Sequence, residues 1–268
     1  MSAFAACVEE AFIRTDFIAR RIGGLANHDL RRSLELSQKV ITAPVIKVDE
    51  LVSAYFASSQ VLIPERRIVQ ALLCGDYNRF KQEAHEYILN LFAIESGCMN
   101  TPLLRTSLLR LLIDKENAAT DDLGAYMNYE ELDHYFEGMG VDSRAVTAAI
   151  EEMVDYRLVE PYEPTTEKIT PTTRLAIATS GHMHFEMCFN DPVYFQQMAL
   201  TIFMRSPDIV RGLRTITNRK MSSADWTQVQ RVFARYCLDE DQKLARVPLH
   251  PDFESQMRLR REFERWLN

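Results

Sequence analysis

The sequence predicts a mainly α-helical protein. Apolar residues recur at helical spacing through most of the chain, and the stretches that suit β-strands are few and short. The 268 residues are 47% hydrophobic and include 9 Gly and 10 Pro. This composition supports a packed core and excludes a disordered or collagen-like chain. No apolar run approaches the roughly 20 residues that a membrane helix needs, so no membrane partner is expected.

Residues 1–100 form the first predicted domain, a bundle of helices. Gly23-Gly24 ends the first helix, Asp29 caps the second, and Pro64 opens the fourth. The predicted helices cover residues 3–22, 30–41, 50–59 and 65–73. Four apolar side chains of the second helix are expected in the core: Leu30, Leu34, Leu36 and Val40. The continuously apolar segment 87–92 suits either a short strand or a buried helix.

Residues 101–178 form the second predicted domain. A short strand, a Pro- and Thr-rich turn and a second short apolar stretch follow three helices, predicted over 102–114, 129–139 and 143–156. This order is typical of a winged-helix domain with a small β-hairpin, whose second and third helices make a helix-turn-helix. Asn128 and Glu131 predict a capping box for the middle helix, and Asp142 predicts the cap of the last. The plainer alternative is a helical hairpin followed by a loop.

The charge of this domain argues against DNA as its partner. In a DNA-binding helix-turn-helix the second helix enters the major groove, and here its surface residues are Arg144, Thr147, Glu151 and Glu152. Residues 101–204 hold 7 basic against 17 acidic side chains, whereas phosphates require Lys or Arg. The wing, which is the predicted β-hairpin together with its Pro- and Thr-rich turn, adds Lys168 and Arg174. Nucleic acid is therefore disfavoured as a partner, and a protein-contact surface is favoured.

Residues 179–268 form the third predicted region, a helical tail. Helices in and just before this region are predicted over 174–189, 191–204, 223–238 and 251–267. The intervening segment 205–220 carries a candidate basic patch made of Arg211, Arg214, Arg219 and Lys220. It is interpreted as a solvated basic loop, with a nucleic-acid surface as the alternative.

The sequence contains no recognisable catalytic or cofactor-binding motif. G-x-x-x-x-G-K-[ST], H-E-x-x-H, G-x-S-x-G and G-x-G-x-x-G are all missing. His182, His184 and Cys188 form H-x-H-x-x-x-C, but a metal centre needs more ligands, and a place in the core is favoured. The five cysteines lack a C-x-x-C pair, and the N-terminus lacks the basic start of a signal peptide. We therefore expect a cytoplasmic protein with reduced thiols, no metal and no cofactor.

The string GGLANHDLRRSLELSQKVI resembles the helical lid of AAA-type and STAND-type P-loop ATPases. Those lids open a helix with a pattern close to G-N-x-R-x-A-L; here Asp29 and Ser33 depart from it, while Leu30 and Leu34 fit. The resemblance implies a lid-like bundle in which Arg31 takes the place of the nucleotide-sensing arginine, with Arg32 beside it. A lid followed by a winged helix is also the order found in origin-recognition and STAND ATPases. The P-loop itself is absent from this chain.

Three functional hypotheses follow. The first is a non-catalytic interaction module, the lid and winged-helix part of a STAND/AAA-type ATPase or a partner to one, which acts by protein–protein contact. The second is a winged-helix DNA-binding transcriptional regulator. The third, an enzyme of unrecognised type, requires a pocket lined by titratable groups with shifted pKa values.

Overall fold

The computed structural model describes residues 3–13, 16–58, 62–94, 100–166, 168–218, 220–245 and 258–267. The chain forms two compact units, Met1–Ile88 and Leu89–Asn268. Both are built mainly from α-helices, which confirms the predicted fold class. The domain boundaries predicted at residues 100 and 178 stay predictions.

The first unit packs five described helices: α1 (Ala3–Ile13), α2 (Asp16–Leu25), α3 (Leu30–Thr42), α4 (Val48–Ser58) and α5 (Glu65–Cys74). Two predicted helix boundaries are confirmed. The Asp29 side chain caps α3 by accepting from the backbone N–H of Arg32 at 3.0 Å. At the end of α5, Gly75 adopts φ 53°, a value that glycine takes without strain.

Two other expectations for this unit are wrong. The glycine pair does not end α2, which continues to Leu25; the N–H of His28 then donates to the Gly23 carbonyl, and Asn27 takes φ 52°. Asn tolerates this left-handed position, so it closes the helix in a Schellman-type turn. Leu30 and Leu34 are not in the core: they are 76% and 62% exposed, because α3 turns its Leu36 and Val40 face toward the helices it packs against.

The second unit begins with three helices and three short strands, in the residues that were predicted to form a winged-helix domain. Its elements are α6 (Leu104–Ala118), β1 (Met127–Asn128), α7 (Tyr129–Glu137), α8 (Ser143–Asp155), β2 (Val159–Pro161) and β3 (Arg174–Ile177). The strands form one antiparallel sheet in the order β1-β3-β2, with Met127 opposite Leu175 and Val159 opposite Ile177. The first predicted strand corresponds to β2. The second strand of the hairpin is β3, at residues that were predicted to begin a helix, and not the apolar stretch within 158–170. The strand β1, which was not predicted, pairs with β3. Asp142 caps α8 as predicted.

The predicted capping box at Asn128 does not form. The Asn128 side chain makes no capping hydrogen bond, because its backbone already pairs with Arg174 in the sheet. The first N–H groups of α7 are instead satisfied by the wing: Tyr129 donates to the Thr173 carbonyl at 2.8 Å, and Glu130 donates to the Pro171 carbonyl at 3.1 Å. The wing therefore replaces a side-chain cap.

The remaining helices are α9 (Thr179–Asn190), α10 (Pro192–Ala199), α11 (Pro207–Thr217), α12 (Ser223–Ala245) and α13 (Arg258–Glu264). Residues 174–177 are strand β3 rather than the start of a helix, since they pair with both β1 and β2. The basic segment is largely the helix α11 and not a loop. The aromatic rings of Phe92, Phe195, Phe233 and Trp266 pack with centroids about 5–6 Å apart and form the core of this unit.

The segment 87–92 is neither strand nor helix. It is irregular and buried, so its backbone groups need side-chain partners. The N–H of Leu89 donates to His184, the hydroxyl of Tyr194 donates to the Leu89 carbonyl, and the N–H of Phe92 donates to the Asn90 side chain. These three bonds explain how an apolar run can be buried without regular secondary structure.

Gly181 of α9 packs closely against Leu158 and against strand β3. A Cβ at this position would lie 2.2 Å from the Leu158 carbonyl oxygen and 2.7 Å from Ile177. We expect Gly181→Ala to lower the free energy of unfolding by about 2–3 kcal/mol, because the backbone must move. Gly212→Ala on α11 is the matched control: nothing lies within 4 Å, and helix propensity predicts a gain of about 1 kcal/mol. Urea unfolding of both variants measures the difference, and equal effects would contradict the steric explanation.

Candidate functional site

Arg144, on the exposed face of α8, is held by the carboxylate that caps its own helix. Its Nη2 donates to Asp142 Oδ2 at 2.7 Å and its Nε donates to Oδ1 at 3.0 Å. These bonds and the Arg144 backbone N–H lower the pKa of Asp142 to about 2. The Arg144 charge is therefore matched by a carboxylate within hydrogen-bond distance, which weakens its attraction for phosphate.

Thr147 connects the two helices of the helix-turn-helix. Its hydroxyl donates to the Ser143 carbonyl at 2.9 Å and lies 2.6 Å from the Tyr129 hydroxyl at the start of α7. Burial raises the pKa of Tyr129. Thr147 thus helps to fix the packing of α7 on α8, and its place on the predicted contact surface stays a prediction.

Glu152 is tied to the interior by Arg105 of α6. The Arg105 guanidinium forms an ion pair with Glu152 and donates a second hydrogen bond to the Ala93 carbonyl. The Arg105 side chain is 3% exposed, whereas that of Glu152 is 32% exposed. The sequence analysis missed Arg105, although a signal was present: it lies three and four residues before Leu108 and Leu109, on the apolar stripe of α6.

The exposed charges of the helix-turn-helix are mainly acidic. We define the acidic surface as its exposed carboxylates on α7 and α8, namely Glu130, Glu131, Glu137, Glu151 and Asp155. Of the four surface residues predicted for α8, Glu151 is the one that belongs to the acidic surface. The one arginine on the exposed face of α8, among the described residues, is Arg144, which Asp142 already neutralises.

The wing carries the cations of this region. An open hollow of about 480 Å³ is lined by four threonines together with Lys168, Arg174, Glu163 and Tyr162. The Arg174 guanidinium lies 5.5 Å from the centroid of the Tyr162 ring, which in turn contacts Tyr126 edge to face. Lys168 and Arg174 are both exposed.

The predicted basic patch lies on and beyond α11. Arg211 is exposed and forms an ion pair with Asp208 at 3.4 Å, while Arg214 and Lys220 are exposed. Arg219 lies outside the described residues. Leu213 is the buried residue of α11, so this helix contacts its unit through a narrow apolar stripe and turns its arginines to solvent.

Arg31 and Arg32 form a network with two other side chains of the first unit. Arg31 donates to Glu35 at 3.1 Å and its side chain is 89% exposed. The Arg32 guanidinium lies 5.0 Å from the centroid of the Tyr87 ring, and the Tyr87 hydroxyl donates to Glu35. Burial, together with this bond, raises the pKa of Tyr87 to about 12. The nucleotide-sensing role of either arginine stays a prediction.

His184 and Cys188 occupy the core, and His182 lies apart from them. His184 is fully buried; its Nδ1 donates to the Ser180 carbonyl at 2.7 Å and its Nε2 accepts from the N–H of Leu89 at 3.1 Å. Burial lowers the pKa of His184 to about 4, so the ring is neutral at pH 7. The His182 ring instead contacts Glu116 at 2.7 Å. Within the described residues, no group of three or more His, Cys, Asp or Glu side chains could hold a metal ion.

No protein-family model, curated protein or solved structure matches this chain. Across the described part of the chain, none of the helices combines the length and apolarity needed to cross a membrane.

Proposed function

We propose that the chain is a non-catalytic interaction module that acts by protein–protein contact, as the lid and winged-helix part of a STAND/AAA-type ATPase or a partner to one. The observation that carries the proposal is the charge of the helix-turn-helix. Arg144 and Arg105 are neutralised by Asp142 and Glu152, while the acidic surface remains exposed. Such a surface repels phosphates and attracts a cationic protein segment.

A cytoplasmic location is part of this proposal. Four cysteines of the described chain (Cys7, Cys74, Cys188 and Cys237) are unpaired and buried. Thiols stay reduced in the cytosol, whereas oxidising compartments favour disulfides.

The acidic surface predicts that the chain binds a polycation and not a polyanion. We expect a fluorescent polyarginine peptide to bind at low salt and to be released at high salt, because screening weakens contacts between exposed charges. Reversing two charges of α8, Glu151→Lys with Asp155→Lys, is expected to weaken this binding about tenfold. Fluorescence anisotropy measures both effects.

The control makes the same change in net charge elsewhere. Glu83→Lys with Glu86→Lys alters two exposed carboxylates of the first unit and should leave peptide binding nearly unchanged. An equal loss in both double variants would show attraction to net charge alone and contradict the proposed surface.

DNA binding by the wing is the second candidate, and the exposed Lys168 and Arg174 favour it. A labelled random duplex at low salt tests this candidate under the conditions where attraction to phosphate is strongest. Binding of the duplex that is lost in Lys168→Glu, together with no binding of the peptide, would replace the docking proposal by a DNA-binding regulator.

A further inference from the structure

A second hollow, in the first unit, has the partly buried side chain of Lys39 in its wall. It measures about 220 Å³, and its wall includes Lys39, Thr42, Cys74, Asp76 and His85. This volume is below the roughly 300–1,000 Å³ of sites for drug-sized ligands. The hollow therefore suits a small molecule.

Lys39 reaches this hollow from the last turn of α3. Its Nζ lies 2.8 Å from Nδ1 of His85. A Cβ on Gly75 would lie 3.2 Å from Lys39 Cε, so the glycine that ends α5 also leaves room for the lysine stem. The amine is thereby held at a fixed place in the wall.

His85 is oriented to act as an acceptor. Its ring stacks on Phe80 with centroids 4.8 Å apart, and it donates a hydrogen bond to the backbone of Leu73. In the tautomer in which Nε2 makes this donation, Nδ1 accepts from the Lys39 amine. Burial and the Lys39 charge lower the pKa of His85 to about 4, and the ring is neutral at pH 7.

Burial favours the neutral form of Lys39. Burial lowers the pKa of Lys39, against the opposing influence of Cys74, Glu86 and Asp76. Burial also raises the pKa of the Cys74 thiol to about 11, so this neighbour carries no charge at pH 7. By contrast, hydrogen bonds to Asp239 and Glu240 raise the pKa of Lys243.

We propose that Lys39 is a nucleophilic amine at the wall of this hollow and forms an imine with small polar aldehydes or ketones. The Nζ lone pair attacks the carbonyl carbon, and the carbonyl oxygen becomes the hydroxyl of a carbinolamine. Loss of both amine protons with this oxygen, as water, leaves a C=N bond, so no oxidant or reductant is required. The site goes beyond the docking function proposed above and does not depend on it.

The test traps the imine in the folded chain. Glycolaldehyde with cyanoborohydride at pH 7 converts each imine to a stable secondary amine, and peptide mass spectrometry gives the rate at each of the seven lysines in the sequence. Lys39 is expected to react several-fold faster than Lys47 or Lys243, because burial lowers the pKa of Lys39 and so increases its neutral fraction at pH 7.

A charge variant separates nucleophilicity from simple access. Thr42 lines the same hollow, is exposed, and lies one helical turn from Lys39. Thr42→Glu places a carboxylate beside the amine and should slow Lys39 labelling about fivefold or more, whereas Thr42→Gln, of equal size, should leave the rate unchanged. Labelling of Lys39 no faster than that of Lys47, or equal rates in the two Thr42 variants, would overturn the proposal.

Discussion

Replacing Arg105 with Ala is expected to lower the free energy of unfolding by about 2–3 kcal/mol, because it removes a buried hydrogen-bonding cation and leaves its acceptors without a donor. The change leaves Glu152 without its cation and the Ala93 carbonyl without its donor, and it opens space within an otherwise apolar stripe of α6. The loss should appear in denaturant unfolding as a lower midpoint with an unchanged slope.

Arg110→Ala is the matched control for this prediction. Arg110 lies on the same helix and forms an i,i+4 ion pair with Asp114 at 3.2 Å, but its side chain is 28% exposed. Partly exposed pairs contribute about 0–1 kcal/mol, so the control should change stability little. Similar losses at Arg105 and Arg110 would show that burial does not set the strength of the Arg105–Glu152 contact.

Asp241→Asn is expected to stabilise the protein at pH 8 by about 1–3 kcal/mol. Asp241 is 3% exposed on α12, and its Oδ2 has no hydrogen-bond partner among the described residues. Burial raises the pKa of this carboxyl to about 7, although the Arg260 charge opposes the rise. At pH 8 the wild-type chain must bury an ionised carboxylate, whereas the amide remains neutral.

The sign of the pH dependence follows from the raised pKa. Between the unfolded value of about 3.9 and the folded value, the folded chain binds the proton more tightly, so stability falls as the pH rises toward 7. The Asn variant should lose this slope and match the wild type near pH 4. Asp239→Asn, at an exposed position that pairs with Lys243, should keep the slope. Thermal unfolding from pH 4 to 8 gives the comparison, and a wild-type curve that rises with pH would contradict the assignment.

The features that the sequence predicted correctly depend on residues close together in the chain. Asp29 and Asp142 each cap a helix by accepting from an N–H two or three residues later, so their effect can be inferred from a short window. The C-terminal Gly75 of α5 belongs to the same class. The predicted order of three helices between residues 102 and 156 also depends on local periodicity.

Two of the incorrect predictions involve partners that are distant in sequence. Residues 174–177 have an apolar pattern that suits helix or strand, and pairing with Met127 and Val159 decides for strand. Asn128 has the sequence of a cap, but the Thr173 and Pro171 carbonyls already satisfy α7. Tertiary contacts therefore override a correct local preference at both places.

The candidate sites show the same contrast between features set by nearby residues and features set by distant partners. The sequence places Arg144, Thr147 and Glu152 on one helix, but it does not reveal that Arg105 binds Glu152 across 47 positions. Lys39 and His85 are 46 positions apart, and nothing in their local sequences suggests a shared hollow. The sequence shows which titratable side chains are present, but the distant partner that determines the charge and the role of each one could not be predicted.

The hydrogen bonds between the wing and α7 make the start of this helix depend on a segment that comes later in the chain. The Thr173 and Pro171 carbonyls accept from the first N–H groups of α7, and the Tyr129 hydroxyl at the same helix end lies 2.6 Å from the Thr147 hydroxyl of α8. Shortening the wing would therefore leave these N–H groups without acceptors at the end of α7 that contacts α8.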